Sequence, residues 1–314
     1  MGEFASGNRE STYWKEESVY ATLPTTSLIN LKNCVVTPNV VRNFEEVNND
    51  GNDSNLLNYE EGVEDVGLSI EYNPQTWREL VLAIGKATNT SVSTYYSHVF
   101  SQNTDKDIDS FSVQRVQYNT SANIIETYSG CKFNNFTISW NTSGGGAGKY
   151  VKCSGDIIAS TYSVIASLGS AEASVPSETL IQSRYAALTI NDVAIGECMS
   201  GNLVYDNKLS DSWYGNENRD EMNPTVVKFK GQVSINYDDT SIQTLFKSGS
   251  AISNCSVVFT RTATSDIATF PLTGMVITKN PSVTKIQDLN VMVIDFNCTM
   301  VLPTITDSRD DYIE

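Results

Sequence analysis

The chain has 314 residues, 40% of them hydrophobic, and a formal net charge of −16. That length accommodates two domains with a core each, and the apolar content, with 15 Tyr and 11 Phe, marks a folded chain. The charge argues against a protein that grips nucleic acid by its phosphates, and no run of about 18 apolar residues is present to span a membrane.

In chain order, the opening MGEFASGNREST has no apolar h-region of a secretory signal, and residues 1–30 read as a weakly patterned arm. Residues 33–42 read as a strand on Val35, Val36, Val40 and Val41. From Asn43 to Asp65 there are eight acids (Glu45, Glu46, Asp50, Asp53, Glu60, Glu61, Glu64, Asp65) and no Lys or Arg. This reads as a long exposed loop, and loops of such length inside a domain are often functional. Next, Leu68, Ile70 and Tyr72 alternate with Gly67, Ser69, Glu71 and Asn73, which makes a strand with one apolar and one wet face. Pro74 suits the start and Gly85 the stop of a short helix with Trp77, Leu80, Val81 and Ile84 on one stripe. Phe133–Trp140 and Lys149–Ser154 flank a Gly-rich turn and read as a hairpin. Ser167–Pro176, poor in large apolar residues, reads as a linker.

The second half repeats these signals. Ser69-Ile-Glu-Tyr-Asn73 returns as Ser234-Ile-Asn-Tyr-Asp238, 165 positions later, and Trp77, Leu80, Val81 return as Ile242, Leu245, Phe246 at the same offset. Cys34–Asn43 has a weaker echo in Cys198–Asn207. The acidic loop has a counterpart in Asp206–Asn223, which holds Asp211, Asp220 and, near its centre, Trp213 and Tyr214. On the second strand Val233, Ile235 and Tyr237 oppose Gln232, Ser234, Asn236 and Asp238. Leu272–Lys279 and Leu289–Asn297 read as the second hairpin. The resulting division is an arm (1–30), a first unit (31–165), a linker (166–176), a second unit (177–302) and an acidic tail (303–314). An internally duplicated unit points to an assembly rather than a solitary enzyme.

The motifs that carry chemistry are weak. The six cysteines include no CxxC, so zinc is not expected and buried, reduced thiols are. Asn-x-Ser/Thr sequons such as Asn135-Phe-Thr follow from a chain rich in Asn, Ser and Thr. Ser143-Gly-Gly-Gly-Ala-Gly-Lys-Tyr150 lacks the first Gly and the closing Ser/Thr of a phosphate loop. Asp105, Asp107 and Asp109 alternate as in a calcium loop, but Ser110 replaces its Gly and Val116 its Glu. His98 is the only histidine, in a stretch that reads as a strand and without a nucleophile elbow, so a structural or surface role is expected. No carboxylate pair stands out as a catalytic dyad. No catalytic residue, metal or cofactor is nominated.

Together these elements resemble the tail tube (major tail) protein family of long-tailed bacteriophages. The likeness rests on Val66–Gly85, on Ser112 and Arg115, and on Gly130-Cys131 with Thr137 within Tyr128–Ser139. It continues through Tyr150–Asp156 and, more weakly, from Ala187-Leu-Thr-Ile-Asn-Asp-Val-Ala194, and covers most of residues 30–300. It implies a mostly β fold of two tandem tail-tube-type β-sandwiches, each flanked by one short α-helix. It further implies rings stacked into a hollow tube in the virion tail, assembled in the host cytoplasm, with DNA and the tape-measure protein passing through. Two units per chain imply a homotrimer with pseudo-sixfold symmetry, meeting tail completion and distal tail proteins. On this reading the wet strand faces with Glu71, Asn73, Asn236 and Asp238 line an acidic bore. The two acidic loops, with Glu45, Glu46, Asp50, Asp53, Glu60, Glu61, Asp211, Trp213, Tyr214 and Asp220, stack one ring on the next. Two other readings remain: another viral ring or capsid-associated protein, and a carbohydrate-binding β-sandwich adhesin.

Overall fold

The computed structural model describes residues 10–48, 56–103, 107–118, 122–142, 150–170, 179–195, 198–212, 221–236, 241–261, 266–286, 289–310 and 312. In chain order the elements are β1 (Glu10–Glu16), β2 (Ile29–Leu31), β3 (Val35–Asn48), β4 (Leu56–Tyr72), a 3-10 turn (Arg78–Leu80) running into α1 (Val81–Ile84), β5 (Lys86–Val92), β6 (Tyr95–Ser101), β7 (Phe111–Gln117), β8 (Ile124–Asn141), β9 (Lys152–Ala159) and β10 (Thr161–Ile165). The chain continues with β11 (Ala186–Ile190), β12 (Val193–Ile195), β13 (Cys198–Asp206), β14 (Leu209–Ser212), β15 (Glu221–Pro224), β16 (Lys228–Asn236), α2 (Ser241–Ser248), β17 (Ser256–Thr260), β18 (Ile267–Pro271), β19 (Val276–Ile277), β20 (Ser282–Ile286), β21 (Leu289–Cys298) and β22 (Thr304–Asp307). The fold is mostly β, as the sequence reading has it, with two short helices. Neither helix is long and apolar enough to cross a membrane.

One antiparallel ladder runs β3-β4-β9-β8-β13-β16-β21-β20. The hydrophobic alternation explains its orientation. Val66, Leu68, Ile70 and Tyr72 of β4, Phe136, Ile138 and Trp140 of β8, Val233 and Ile235 of β16, and Met292, Ile294 and Phe296 of β21 all point into the core. A second sheet, β12-β11-β17-β18-β22-β6-β5, covers that apolar face. Trp140 of the first sheet meets Phe259 of the second at 5.4 Å, edge to face, so the layers touch directly. Gly201 and Gly231 make room for this packing. A Cβ on Gly201 would collide with the Trp140 ring, and one on Gly231 with Phe296.

β8 serves both a side sheet and the main ladder. Its first half pairs with β7 and β10, its second half with β9 and β13. The bend falls at Gly130, which has φ of +63° and where a Cβ would meet Ser160 at 2.7 Å. β1 and β2 come from the segment that patterning leaves as an arm. β1 pairs along its length with β7 and buries Trp14 beneath the side sheet.

The expected helix over 74–85 is helical only from Arg78 to Ile84. The Trp77 N–H, at the entry to the helical turn, donates to the Tyr312 hydroxyl at 3.1 Å. Gly85 stops the helix as expected, at φ of +141°. Within Asn43–Asp65, expected as a loop, the described residues 43–48 and 56–65 are strand, the continuation of β3 and β4, with Phe44 opposite Glu61, Glu45 opposite Glu60 and Val47 opposite Asn58. Charge density suggested a loop, but backbone pairing between the two strands does not depend on which side chains they carry. Asp206–Asn223 likewise contains strand: β14 pairs with β15, Asp211 opposite Met222. The tail contributes β22, which pairs with β18 on one side and β6 on the other.

Candidate functional site

The outward face of the large ladder is lined largely by polar side chains. Its side chains alternate with the core residues: Thr37 and Asn39 on β3, Ser69 and Glu71 on β4, and Lys152, Ser154 and Asp156 on β9. Asn135, Thr137 and Ser139 follow on β8, Asn202, Val204 and Asp206 on β13, Lys228, Lys230, Gln232 and Ser234 on β16, and Val293, Asp295 and Asn297 on β21. The registers put these on neighbouring rungs of one surface, for example Glu71 opposite Ser154, Thr137 opposite Val204, and Val204 opposite Lys230.

Each described acid on these ladder positions has a partner one strand away. Glu71 Oε1 meets Lys152 Nζ at 2.8 Å. Asp156 accepts from the Ser69 hydroxyl at 2.8 Å and from Asn135 Nδ2 at 2.7 Å. Asp206 Oδ2 meets Lys230 Nζ at 3.2 Å. Asp295 meets Lys279 Nζ at 3.3 Å and accepts from Gln232 Nε2 at 2.8 Å. Glu71, Asp206 and Asp295 each meet a lysine, Lys228 lies opposite the already paired Asp206, and the densest acidic stretch of the sequence is 43–65.

The nominated residues divide as follows. Glu71 lies exposed on the ladder face. Asn73 lies just beyond β4 and serves the backbone: its Nδ2 donates to the Val151 carbonyl at 2.9 Å, and its Oδ1 accepts from Asn33. Asn236 ends β16, half-buried. Glu45 and Glu46 sit on β3, Glu60 and Glu61 on β4, and Asp211 on β14. Asp50, Asp53, Trp213, Tyr214, Asp220 and Asp238 lie outside the described residues. Sequence reasoning missed Lys152, Asp156, Asp206, Lys230, Lys279 and Asp295. The alternation of Lys-Cys-Ser-Gly-Asp at 152–156 and Lys-Phe-Lys-Gly-Gln at 228–232 marks outward positions, but only the register says which acid each lysine meets.

The ladder has two ends. Among the described residues β3 pairs with β4 alone, and β20 and β19 each pair with β21 alone. In its middle, β8 joins β13 over Asn135–Asn141 and Ser200–Asp206. The strands on either side follow one order: β3-β4-β9-β8 before the joint and β13-β16-β21-β20 after it.

A second polar cluster locks the outer sheet. His98 is fully buried, with Nδ1 2.7 Å from Asn89 Oδ1 and Nε2 3.0 Å from Asp307 Oδ1. Tyr312 stacks on its ring at 3.8 Å and donates its hydroxyl to Asp307 Oδ2 at 2.9 Å. These groups satisfy one another inside the fold and present no nucleophile, so the histidine is structural. The thiols are equally unreactive. All six cysteines are free, and burial pushes Cys34 and Cys298 up to about 12.

The family model described as Phage tail tube protein matches residues 7–300. No curated protein matches the chain.

Proposed function

Because the chain belongs to the phage tail tube protein family, we propose that it polymerises as stacked rings into the tail tube, the conduit that delivers viral DNA. The family makes it a structural component of the virion tail. One observation carries the finer reading: the β8–β13 joint inside the chain. A ring requires a strand-to-strand contact that repeats until it closes. The joint supplies one such contact within the chain, between two runs of four strands in the same order. The contact between chains is then the same kind of pairing, made by the β20 end of one copy and the β3 edge of the next. That order, together with the 165-residue sequence repeat, supports a duplicated tube unit. Three chains close the ring, with threefold symmetry and only approximate sixfold symmetry, since Glu71 corresponds to Asn236.

In this assembly the outward ladder face lines the bore. The β3–β4 hairpin end and the Asp206–Asn223 segment project toward the neighbouring ring. The partners are further copies of the chain, the tape-measure protein inside, and completion and distal tail proteins at the ends, with assembly in the host cytoplasm.

Native mass spectrometry beside electron microscopy tests the reading. Trimers, and tubes built from them, are expected; a stable monomer or a ring of six chains overturns it. Glu45→Lys with Glu60→Lys is expected to leave rings but stop tubes, visible in the same micrographs.

A further inference from the structure

We propose that β22 is a proton-held latch. His98 carries both of its ring protons, the imidazolium pairs with the buried Asp307, and the strand leaves the covering sheet when one of those protons is lost. The inference stands on the fold of the single chain and is independent of how copies assemble.

The roles of the surrounding groups fix the proton count. Asn89 Nδ2 donates to the Tyr312 main-chain carbonyl at 2.6 Å, so the amide oxygen is what faces His98 Nδ1 at 2.7 Å. Turning the amide over would set its oxygen against that carbonyl. On the other side of the ring, Nε2 lies 3.0 Å from Asp307 Oδ1. That carboxylate is held as an acceptor: the Arg309 N–H donates to Oδ1 and the Tyr312 hydroxyl to Oδ2, each at 2.9 Å. The hydroxyl cannot reverse, because it accepts from the Trp77 N–H. Both ring nitrogens therefore face acceptors. A neutral imidazole has one N–H and leaves its other nitrogen's lone pair against an oxygen; only the imidazolium donates twice. The ring is fully buried and stacked on Tyr312, so water does not make up a missing bond.

The place of this pair in the sheet makes it a latch. His98 lies opposite Ile305 of β22, and Asp307 ends that strand. β22 is four residues long, so few backbone bonds hold it besides the side-chain lock. Loss of one ring proton turns a hydrogen bond into a repulsive contact and leaves a buried carboxylate without its counter-charge. With β22 released, β6 and β18 face each other as unpaired edges. Other charges surround the cluster. Glu79 of the first helical segment acts on Tyr312, with Arg78 and Arg309 beside it. From the β17–β18 turn, the Arg261–Asp266 ion pair shares a cavity with Asp307. Asp307 is the charge that meets the ring. Glu79 also gives up a proton as pH rises, so the test has to separate the two groups.

His98 is the only histidine, so its ring signals in nitrogen NMR of the chain made with isotope-labelled histidine are unambiguous. At about pH 7.5 both ring nitrogens are expected at the protonated position. One unprotonated nitrogen at that pH overturns the proposal. Hydrogen exchange read by mass spectrometry then follows residues 304–310, with Lys228–Asn236 of β16 as the internal reference. From about pH 7 to about pH 9, protection of 304–310 relative to β16 is expected to fall at least about tenfold, in step with loss of the imidazolium signals. The fall is expected to persist in Glu79→Gln. In His98→Gln the segment is expected to be less protected already at the lower pH, with no further fall. An unchanged ratio in the wild type, or a fall that Glu79→Gln removes, overturns the proposal, and both of these readings stand whether or not His98→Gln folds.

Discussion

The two helical segments carry one apolar stripe, 165 positions apart, and bury it to different depths. In the first, Trp77, Leu80 and Val81 are 6%, 1% and 0% exposed. In the second, Ile242 is 5% exposed while Leu245 and Phe246 are only partly buried. The surroundings explain this. Trp77 packs against Phe259 at 5.4 Å and Phe270 at 5.2 Å on the covering sheet, and Tyr312 closes over it. α2 lies at the end of the ladder, beside the short strand β19. A stripe thus announces that a helix face is to be covered, and where the helix sits decides whether its own chain does the covering.

The largest test of this contrast is Trp77→Ala. Removing a large buried ring from between two layers should cost about 3–5 kcal/mol, read from urea midpoints. A cost below about 1 kcal/mol would mean that the first stripe is no better covered than the second.

The first segment also hides an acid, and the second has none. Glu79 is 8% exposed, and burial raises its pKa from 4.5 to about 7, against the opposing pull of Arg78 and Arg309. The folded chain therefore holds this proton more tightly than the unfolded one. The contribution is fully present below about pH 4.5 and is lost as pH rises through about 7. Glu79→Gln should accordingly stabilise the chain by ~2–3 kcal/mol at pH 8, with the gain vanishing near pH 4.5. Melting temperatures across that range check it, and a gain independent of pH would remove the buried charge as the cause.

Tyr312→Phe keeps the ring over His98 but deletes the hydroxyl that serves Trp77 and Asp307. A loss of about 1–2 kcal/mol is expected in the same urea titration. Smallest in the unassembled chain is Phe246→Ala, at about 1 kcal/mol or less, because its ring is only partly buried. If the next copy completes the cover of α2, the same substitution should abolish tubes in micrographs. Unimpaired tubes would leave the second stripe without a role in assembly.

Much of the ladder was legible in advance because β4 and β16 alternate strictly, and alternation fixes which side chains face the core. The Gly85 stop and the β8–β9 hairpin were legible for the same local reason. Long-range pairing was not. Nothing near Glu10–Glu16 indicates that it binds β7 a hundred residues later, and nothing in Thr304–Asp307 names β18 and β6 as its neighbours. The β3–β4 strand ends misled because their acids come in adjacent pairs (Glu45-Glu46, Glu60-Glu61, Glu64-Asp65), which carry no strand alternation to read. The surface chemistry was half legible: outward positions could be read, but the pairing of Lys152 with Glu71 depends on β9 lying beside β4.

β22 has a consequence in time as well as in space. It is the strand between β18 and β6, so the covering sheet has no middle until residue 307 has left the ribosome. His98 waits for Asp307 across 209 positions of chain. During synthesis the earlier strands pair locally while the outer layer stays in two pieces, and the joining contacts, being the most distant in sequence, form last.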